Sequence, residues 1–171
     1  VMGASVIPAA SATASDNWVQ ISSVTPTASA ATLTFSSIGT YKKLMLRLNN
    51  PGLSGTGTVT ITLNGDTGTK YSLYGVPFAG SGVTALSDQS TAGFIFGTAI
   101  ASISGSIVIE QADTSNLKNI SGYAKVTTAS PVGQFSYLAG AYLASAAISS
   151  ITITLTSTFA ATGTVALYGV A

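Results

Sequence analysis

The sequence of 171 residues contains no cysteine and no histidine, and 6% of its residues carry a charge. Without cysteine there is neither a disulfide nor a thiolate metal site, and cysteine usage gives no information on the redox compartment. Without histidine, the side chain that most often serves as general base at neutral pH is missing. The sequence therefore predicts no catalytic residue, no metal ligand and no cofactor.

Charge of either sign is scarce. Six Lys or Arg and five Asp or Glu give a net charge of +1, and no charged residue follows Lys125. An ordinary soluble domain has about 25% charged residues, which keep its surface hydrated and separate from its neighbours. A surface with so little charge predicts burial against other subunits, so we expect a homo-oligomer.

Long apolar runs and basic patches are also absent. Ser, Thr and Gly interrupt every hydrophobic stretch well before the roughly 18 residues that a transmembrane helix needs, so no membrane partner is expected. The cluster of Lys42, Lys43 and Arg47 is too small to bind a phosphate backbone. We therefore expect no direct contact with nucleic acid.

Strict alternation of apolar residues and threonine marks two segments, 58–63 and 151–156. Period-2 alternation is typical of a strand with one face against a core. The alternation predicts that one set of side chains points into the core: Val59, Ile61, Leu63, Ile151, Ile153 and Leu155. It predicts that a second set points away: Thr60, Thr62, Thr152 and Thr154.

Turn residues separate many such short segments. Strands are predicted near 18–24, 31–36, 41–49, 57–64, 69–75, 92–98, 105–111, 118–127, 133–142, 148–156 and 163–170. Residues 138–147 contain Gly140 and lack a helix cap, so they are predicted to form a strand end and a loop. Many strands with frequent turns and no intervening helices predict an all-β domain over 16–171, an antiparallel β-sandwich of jelly-roll type.

Residues 1–15 differ from the remainder, because they are small, uncharged and without alternation. Val6, Ile7 and Pro8 are anchors suited to an extended N-terminal arm that lies on a neighbouring subunit. With Trp18, these three residues are the predicted assembly contacts.

The few candidates for chemistry favour structural roles. Glu110 and Asp113 are close in sequence, but they bracket a predicted strand end and are expected to be solvated acids of a turn. Segment 64–68 lacks the alternating acids and closing Glu of a calcium loop, so it predicts a hairpin turn closed by Asp66. An enzyme is not expected.

Four motifs follow one another in an order that resembles small structural proteins of tailed-bacteriophage virions, the jelly-roll decoration and fibre proteins. They are Tyr41-Lys42-Lys43-Leu44-Met45-Leu46-Arg47-Leu48, Asn64-Gly65-Asp66-Thr67-Gly68-Thr69-Lys70-Tyr71, Ala146-Ala147-Ile148-Ser149-Ser150-Ile151-Thr152-Ile153 and Ala166-Leu167-Tyr168-Gly169. The likeness spans about 40–171, with no motif in 76–117. It implies a virion component and carries over no catalytic residue.

Together, the sparse charge and the resemblance predict a capsid decoration, or cement, protein on the particle surface. Such a protein stabilises the shell by burying weakly polar surface against the major capsid protein or other virion proteins, and a homotrimer is expected. The alternative is a fibre or receptor-binding module, whose loops at 76–92 and 128–132 present Tyr74, Phe78 and Gln89 to a host glycan.

Overall fold

Strands and connecting segments, without a helix, make up the described part of the chain in the computed structural model, which comprises residues 17–79, 82–83, 86–95, 100–128 and 133–171. The strands are β1 (Val19–Val24), β2 (Thr32–Phe35), β3 (Lys43–Asn49), β4 (Gly52–Gly57), β5 (Val59–Leu63), β6 (Tyr71–Ala79), β7 (Gly82–Val83), β8 (Leu86–Thr91), β9 (Phe94–Ile95), β10 (Ile100–Glu110), β11 (Lys118–Thr128), β12 (Gln134–Tyr142), β13 (Ile151–Leu155) and β14 (Thr164–Val170). The predicted all-β class is confirmed.

The strands form two antiparallel sheets. The large sheet has the order β1-β14-β3-β10-β11-β12-β6-β7, with β4 also paired to β10 and β8 also paired to β6. The small sheet has the order β2-β13-β5-β9. The two sheets pack into the predicted β-sandwich, and most of the strands belong to the large sheet.

The core lies between the sheets, where the apolar side chains of alternating positions meet. Its buried members include Leu44, Leu46, Val59, Ile61, Leu63, Ile107, Ile109, Ile151, Ile153, Leu155, Val165 and Leu167. The six predicted core residues of β5 and β13 are all among them, so the predicted orientation of these strands is confirmed. Removing aliphatic surface of this kind from water contributes roughly 25 cal/mol per Å².

The threonines of the opposite face are less uniform than the alternation predicts. Thr154 is exposed and Thr60 and Thr152 are half-buried, but Thr62 is 7% exposed. The chain at Gly93 covers this part of β5, because a Cβ at Gly93 would meet the methyl groups of Thr60 and Thr62 at 2.6 and 3.1 Å. Thr62 therefore shares the outer face with Thr60, but the chain at Gly93 shields it from solvent.

The turn at 63–66 is tight, as predicted, but it does not form a hairpin. Asn64 and Gly65 both have left-handed backbone angles, with φ of 54° and 65°, and the Asp66 N–H donates to the Leu63 carbonyl over 2.9 Å. Two successive left-handed residues are the signature of a type I′ turn. The turn leads from β5 of the small sheet to β6 of the large sheet, so it joins the two layers.

Several strand boundaries differ from the prediction. β4, β7 and β8 were not predicted, because none of their sequences, Gly-Leu-Ser-Gly-Thr-Gly, Gly-Val and Leu-Ser-Asp-Gln-Ser-Thr, has an apolar alternation. β10 begins at Ile100 and not near 105. Segment 138–147 contains the end of β12 followed by a loop, as predicted. The predicted arm at 1–15 lies outside the described residues.

Candidate interaction surface

Three neighbouring strands of the large sheet carry aromatic side chains on the face turned away from the core. Tyr74 lies on β6, Tyr123 on β11, and Phe135 and Tyr137 on β12. Their inward neighbours, such as Leu138 on β12, are buried in the core. Successive side chains of a strand point to opposite faces, so these four aromatic residues share the outer face. We call Tyr74, Tyr123, Phe135 and Tyr137 the outer aromatic face.

Strand register brings the four rings together. Tyr123 lies directly opposite Tyr137, and Tyr74 lies opposite Ala139, two residues along β12 from Tyr137. The rings of Tyr123 and Phe135 stack with centroids 6.1 Å apart and an angle of 18° between their planes. Diagonal neighbours on a sheet lie within reach of aromatic side chains, so a continuous aromatic surface results.

About half of each ring is open to solvent. The exposed fractions are 47% for Tyr74, 49% for Tyr123, 45% for Phe135 and 53% for Tyr137. Since a large aromatic side chain has roughly 200 Å² to bury, the exposed part amounts to about 400 Å². This is the size of patch that on soluble proteins often marks an interaction site.

Positive charges flank the outer aromatic face. Lys125 is exposed on β11 opposite Phe135, and Arg47 is exposed on β3 opposite Ser106, which in turn lies opposite Tyr123 on β11. An apolar surface with cations beside it is complementary to a neutral or acidic partner surface. It can bind through burial and stacking, without a chemical step.

A second cluster of polar groups surrounds Asp66, where the turn after β5 meets the end of β12. The Asp66 carboxylate accepts hydrogen bonds from the Gly68 N–H over 2.9 Å and the Tyr142 hydroxyl over 3.1 Å, and it forms an ion pair with Lys70 at 3.0 Å. The Gly68 N–H and the Lys70 ammonium hold the pKa of Asp66 below its usual value. With its oxygen atoms engaged in this way, Asp66 fixes the turn and is poorly suited to act as a base.

Two buried tyrosines complete this cluster. The Tyr71 hydroxyl accepts the Leu63 N–H over 2.8 Å and donates to the Asp66 carbonyl over 2.9 Å. The rings of Tyr71 and Tyr142 stack with centroids 4.9 Å apart. Burial raises the pKa of Tyr71 to about 12, and burial together with the hydrogen bond to Asp66 raises the pKa of Tyr142. Both hydroxyls are therefore neutral at physiological pH and bind the two sheets together.

Lys118, at the start of β11, has an exposed fraction of 0%. Its ammonium group donates to the carbonyl oxygens of Thr114 and Asn116, both at 2.7 Å, and of Ala144 at 3.4 Å. Burial lowers the pKa of Lys118, and the charge of Asp113 opposes this shift. The side chain connects the loop after β10 with the loop after β12, which is a structural role.

The predicted site residues are distributed as follows. Val6, Ile7 and Pro8 lie outside the described residues. Trp18 is half-buried and directly precedes β1. Of the residues in the glycan alternative, Tyr74 belongs to the outer aromatic face, whereas Phe78 and Gln89 lie in β6 and β8 with side chains that are not described.

The two acids that are close in sequence lie at and just after the end of β10. Glu110 is exposed at the end of β10, and Asp113 is half-buried in the turn that follows. Within the described ranges, no three residues of the types His, Cys, Asp and Glu come together in a way that could hold a metal ion. The same part of the chain has no helix long and apolar enough to cross a membrane.

Sequence reasoning missed Tyr123, Phe135 and Tyr137 as members of the surface. In Gln134–Tyr142 the apolar residues occupy both faces of the strand, so alternation alone does not identify the side that faces solvent. The signal that could have found them is the coincidence of aromatic residues on two consecutive long strands, each with inward-facing aliphatic positions.

Comparisons with known proteins do not assign the chain to a family. No protein-family model matches it, and neither does a curated protein. Among solved structures, the chain has a likeness to one described as "Structure of infectious bursal disease virus Gx strain", with 15% sequence identity and a TM-score of 0.15. The alignment covers 91% of this chain and 39% of the viral chain. A likeness at this TM-score carries no argument about fold or function.

Proposed function

We propose that the protein is a structural component of a bacteriophage virion, a decoration protein that attaches to the capsid surface and has no enzymatic activity. The observation that carries the proposal is the outer aromatic face, about 400 Å² of half-exposed rings, on a chain in which 6% of the residues are charged. Such a surface is costly to leave in water and gains by being covered. The resemblance of the four sequence motifs to virion proteins supports the same assignment.

The area of the outer aromatic face limits how tightly one copy can bind to the capsid. At roughly 25 cal/mol per Å², covering about 400 Å² contributes on the order of 10 kcal/mol. Association costs an estimated 4–15 kcal/mol in lost translational and rotational freedom. One face therefore supports only weak attachment. Linking several copies raises the effective concentration of each remaining face at the shell, so an oligomer holds far more tightly than a single chain.

The proposed partner is the major capsid protein, or another virion protein, with a neutral or acidic surface. Arg47 and Lys125 beside the outer aromatic face favour that choice over a basic surface. A homotrimer is the oligomer we propose, since it presents three such faces to a shell with threefold positions.

The test is binding of purified protein to capsids that lack it, measured by co-sedimentation. The double variant Tyr123→Ser, Tyr137→Ser should bind at least about tenfold more weakly, because an anchoring aromatic contributes more than about 1 kcal/mol. The matched control is Leu117→Ser, since Leu117 is 53% exposed and lies outside the outer aromatic face. Unchanged binding by the double variant would contradict the proposal.

A second candidate function is a fibre or receptor-binding module that binds a host glycan. The observation that favours it is the set of half-exposed aromatic side chains on the outer aromatic face, because sugar rings pack against exposed aromatic rings. The number of copies per particle separates the two functions. Hundreds of copies, counted by quantitative mass spectrometry of purified particles, are expected for a decoration protein, and a handful for a fibre.

A further inference from the structure

A cleft lies between segment 64–70, which follows β5, and the loop that follows β12. Its volume is about 500 Å³, and small-molecule sites in proteins typically have volumes of about 300–1,000 Å³. Segment 64–70 contributes Asn64, Asp66 and Lys70 to the lining, and the loop contributes residues 143–146. The cleft therefore combines polar side chains from one segment with a mostly apolar loop from the other.

Hydrogen bonds hold the two sides of the cleft together. The Asn64 side-chain amide donates to the Ala147 carbonyl over 2.8 Å, and its oxygen accepts the Ser149 N–H over 2.7 Å. The Leu143 N–H donates to the Lys70 carbonyl over 2.8 Å. A site that is formed before its ligand arrives loses less conformational entropy on binding. The cleft is preorganised in this sense.

The polar groups of the cleft have hydrogen-bonding capacity that the fold does not use. A carboxylate has about four acceptor sites, and the Asp66 carboxylate uses three of them in the contacts described above. An ammonium group has three donors, and that of Lys70 has one partner among the described residues, Asp66. The Ser145 hydroxyl has none in the same part of the chain. Donors and an acceptor are thus available to a ligand in one cleft.

The charges of the cleft cancel. Asp66 and Lys70 form an ion pair at 3.0 Å, and the other lining residues are uncharged. Neither an anion nor a cation meets an unbalanced opposite charge there. The Leu143 side chain, which is 47% exposed, adds apolar surface on the loop. A ligand that fits is neutral, carries both donors and acceptors, and has an apolar side.

We infer that the cleft binds a neutral hexose unit of a glycan. A hydroxyl group is both a donor and an acceptor, so the hydroxyls of such a sugar can donate to Asp66 and accept from Lys70 and Ser145. The C–H groups of the sugar ring pack against Leu143, as apolar surface that leaves water.

This inference goes beyond the capsid attachment proposed above. Tyr142, at the cleft, is five residues from Tyr137 on β12, which is about 17 Å along a strand. The cleft and the outer aromatic face can therefore be occupied at the same time.

Titration of isotope-labelled protein with the methyl glycosides of glucose, galactose and mannose, followed by NMR, tests the inference. At least one of these neutral sugars should shift the backbone amide signals of Gly68, Lys70 and Ser145, with a Kd on the order of 1–10 mM. The methyl glycoside of glucuronic acid and inorganic phosphate are the charged controls. If none of the three neutral sugars shifts these signals, or if phosphate binds more tightly than they do, the inference is wrong.

Lys70→Met is the first variant, because it removes the donors and retains the apolar part of the side chain. It should weaken sugar binding at least about tenfold, since hydrogen bonds from a charged donor are strong. The matched control is Lys42→Met, because Lys42 is also exposed but does not line the cleft. The control should bind as the parent does. An equal Kd for Lys70→Met and the parent would overturn the inference.

Ser145→Ala is the second variant, and it remains informative if Lys70→Met alters the turn. The Ser145 side chain is exposed, so its hydroxyl can be removed with an unchanged far-UV spectrum. Binding should weaken about two- to tenfold, the effect of one neutral hydrogen bond. An unchanged Kd would count against the inference.

The outer aromatic face is intact in both variants, so their binding to capsids by co-sedimentation should equal that of the parent. Failure of sugar binding is therefore distinguishable from failure of capsid attachment. If the sugars shift the signals of Tyr123 and Tyr137 and leave those of the cleft unchanged, the inference is overturned and the outer aromatic face is the glycan site.

Discussion

Replacing Lys118 by Met should destabilise the sandwich by an amount that can be worked out from its contacts. Methionine retains an apolar chain of similar length but removes the ammonium group. Three backbone carbonyls, those of Thr114, Asn116 and Ala144, then lose their donor in a place that water does not reach freely.

The magnitude follows from two opposing contributions. Hydrogen bonds from a charged donor contribute about 1.5–3 kcal/mol each, and two of the three at Lys118 are short, at 2.7 Å. Against this, burying an ammonium costs several kcal/mol, and Met avoids that cost. We expect a net loss of about 2–4 kcal/mol in the free energy of unfolding, which is large against a typical total of 5–15 kcal/mol.

Urea denaturation followed by tryptophan fluorescence and circular dichroism measures this loss. The matched control is Lys125→Met, because Lys125 lies on the same strand but is exposed on the outer face. The control should change the stability by less than about 0.5 kcal/mol. If the two variants have equal stability, or if Lys118→Met is more stable than the parent, the carbonyls at Lys118 do not depend on its charge and the reasoning is wrong.

Three further outcomes are expected. In denaturant melts, Ile153→Ala should lower the free energy of unfolding by about 2–5 kcal/mol, because Ile153 is 1% exposed. Thr154→Ala should lower it by less than about 0.5 kcal/mol, because Thr154 is open to solvent. The reverse order would show that the register of β13 is off by one residue. The pKa of Tyr71 is raised to about 12 in the folded protein, so the contribution of its neutral hydroxyl to the free energy of unfolding should be fully present below pH 10 and be lost between pH 10 and 12. In thermal melts, Tyr71→Phe should show a smaller loss of stability over that pH range. An equal loss in the variant would exclude Tyr71 as its source. Because the pKa of Asp66 is lowered in the folded protein, its contribution to stability should be present above pH 3.8 and be lost as the pH falls through that lowered pKa. The stability of Asp66→Asn should therefore decrease less steeply as the pH falls. If the stability of the variant decreases as steeply as that of the parent, the Gly68 and Lys70 contacts do not stabilise the turn.

The sequence predicted the strands best where one face is purely apolar. In β5 and β13 the alternation assigned Ile61 and Ile153 to the core, because a single face of each strand meets the other sheet. β4 and β8 were not predicted, because neither strand has a purely apolar face in its sequence. Gly52–Gly57 has three glycines, and nothing in its apolar content distinguishes a strand from a loop until it pairs with β10.

From the sequence we could predict that a candidate interaction surface exists, but not where on the fold it lies. Sparse charge indicated that some surface would be covered, and this is a property of composition that requires no fold. The location of the surface depends on which strands of the large sheet are neighbours, and therefore on pairings such as Tyr123 with Tyr137 between consecutive strands. Lys118 was missed altogether, because a lysine is almost never fully buried and its partners are backbone carbonyls that no side-chain motif reports.

The pairing of β1 with β14 gives the sandwich a preferred direction of mechanical strength. Val19, the first residue of β1, lies opposite Gly169, near the last residue of β14. A force that pulls Val19 away from Gly169 separates β1 from β14 at one end of their pairing, so the residue pairs break one after another. A force along the axis of β1 loads all five pairs at once, as a shear.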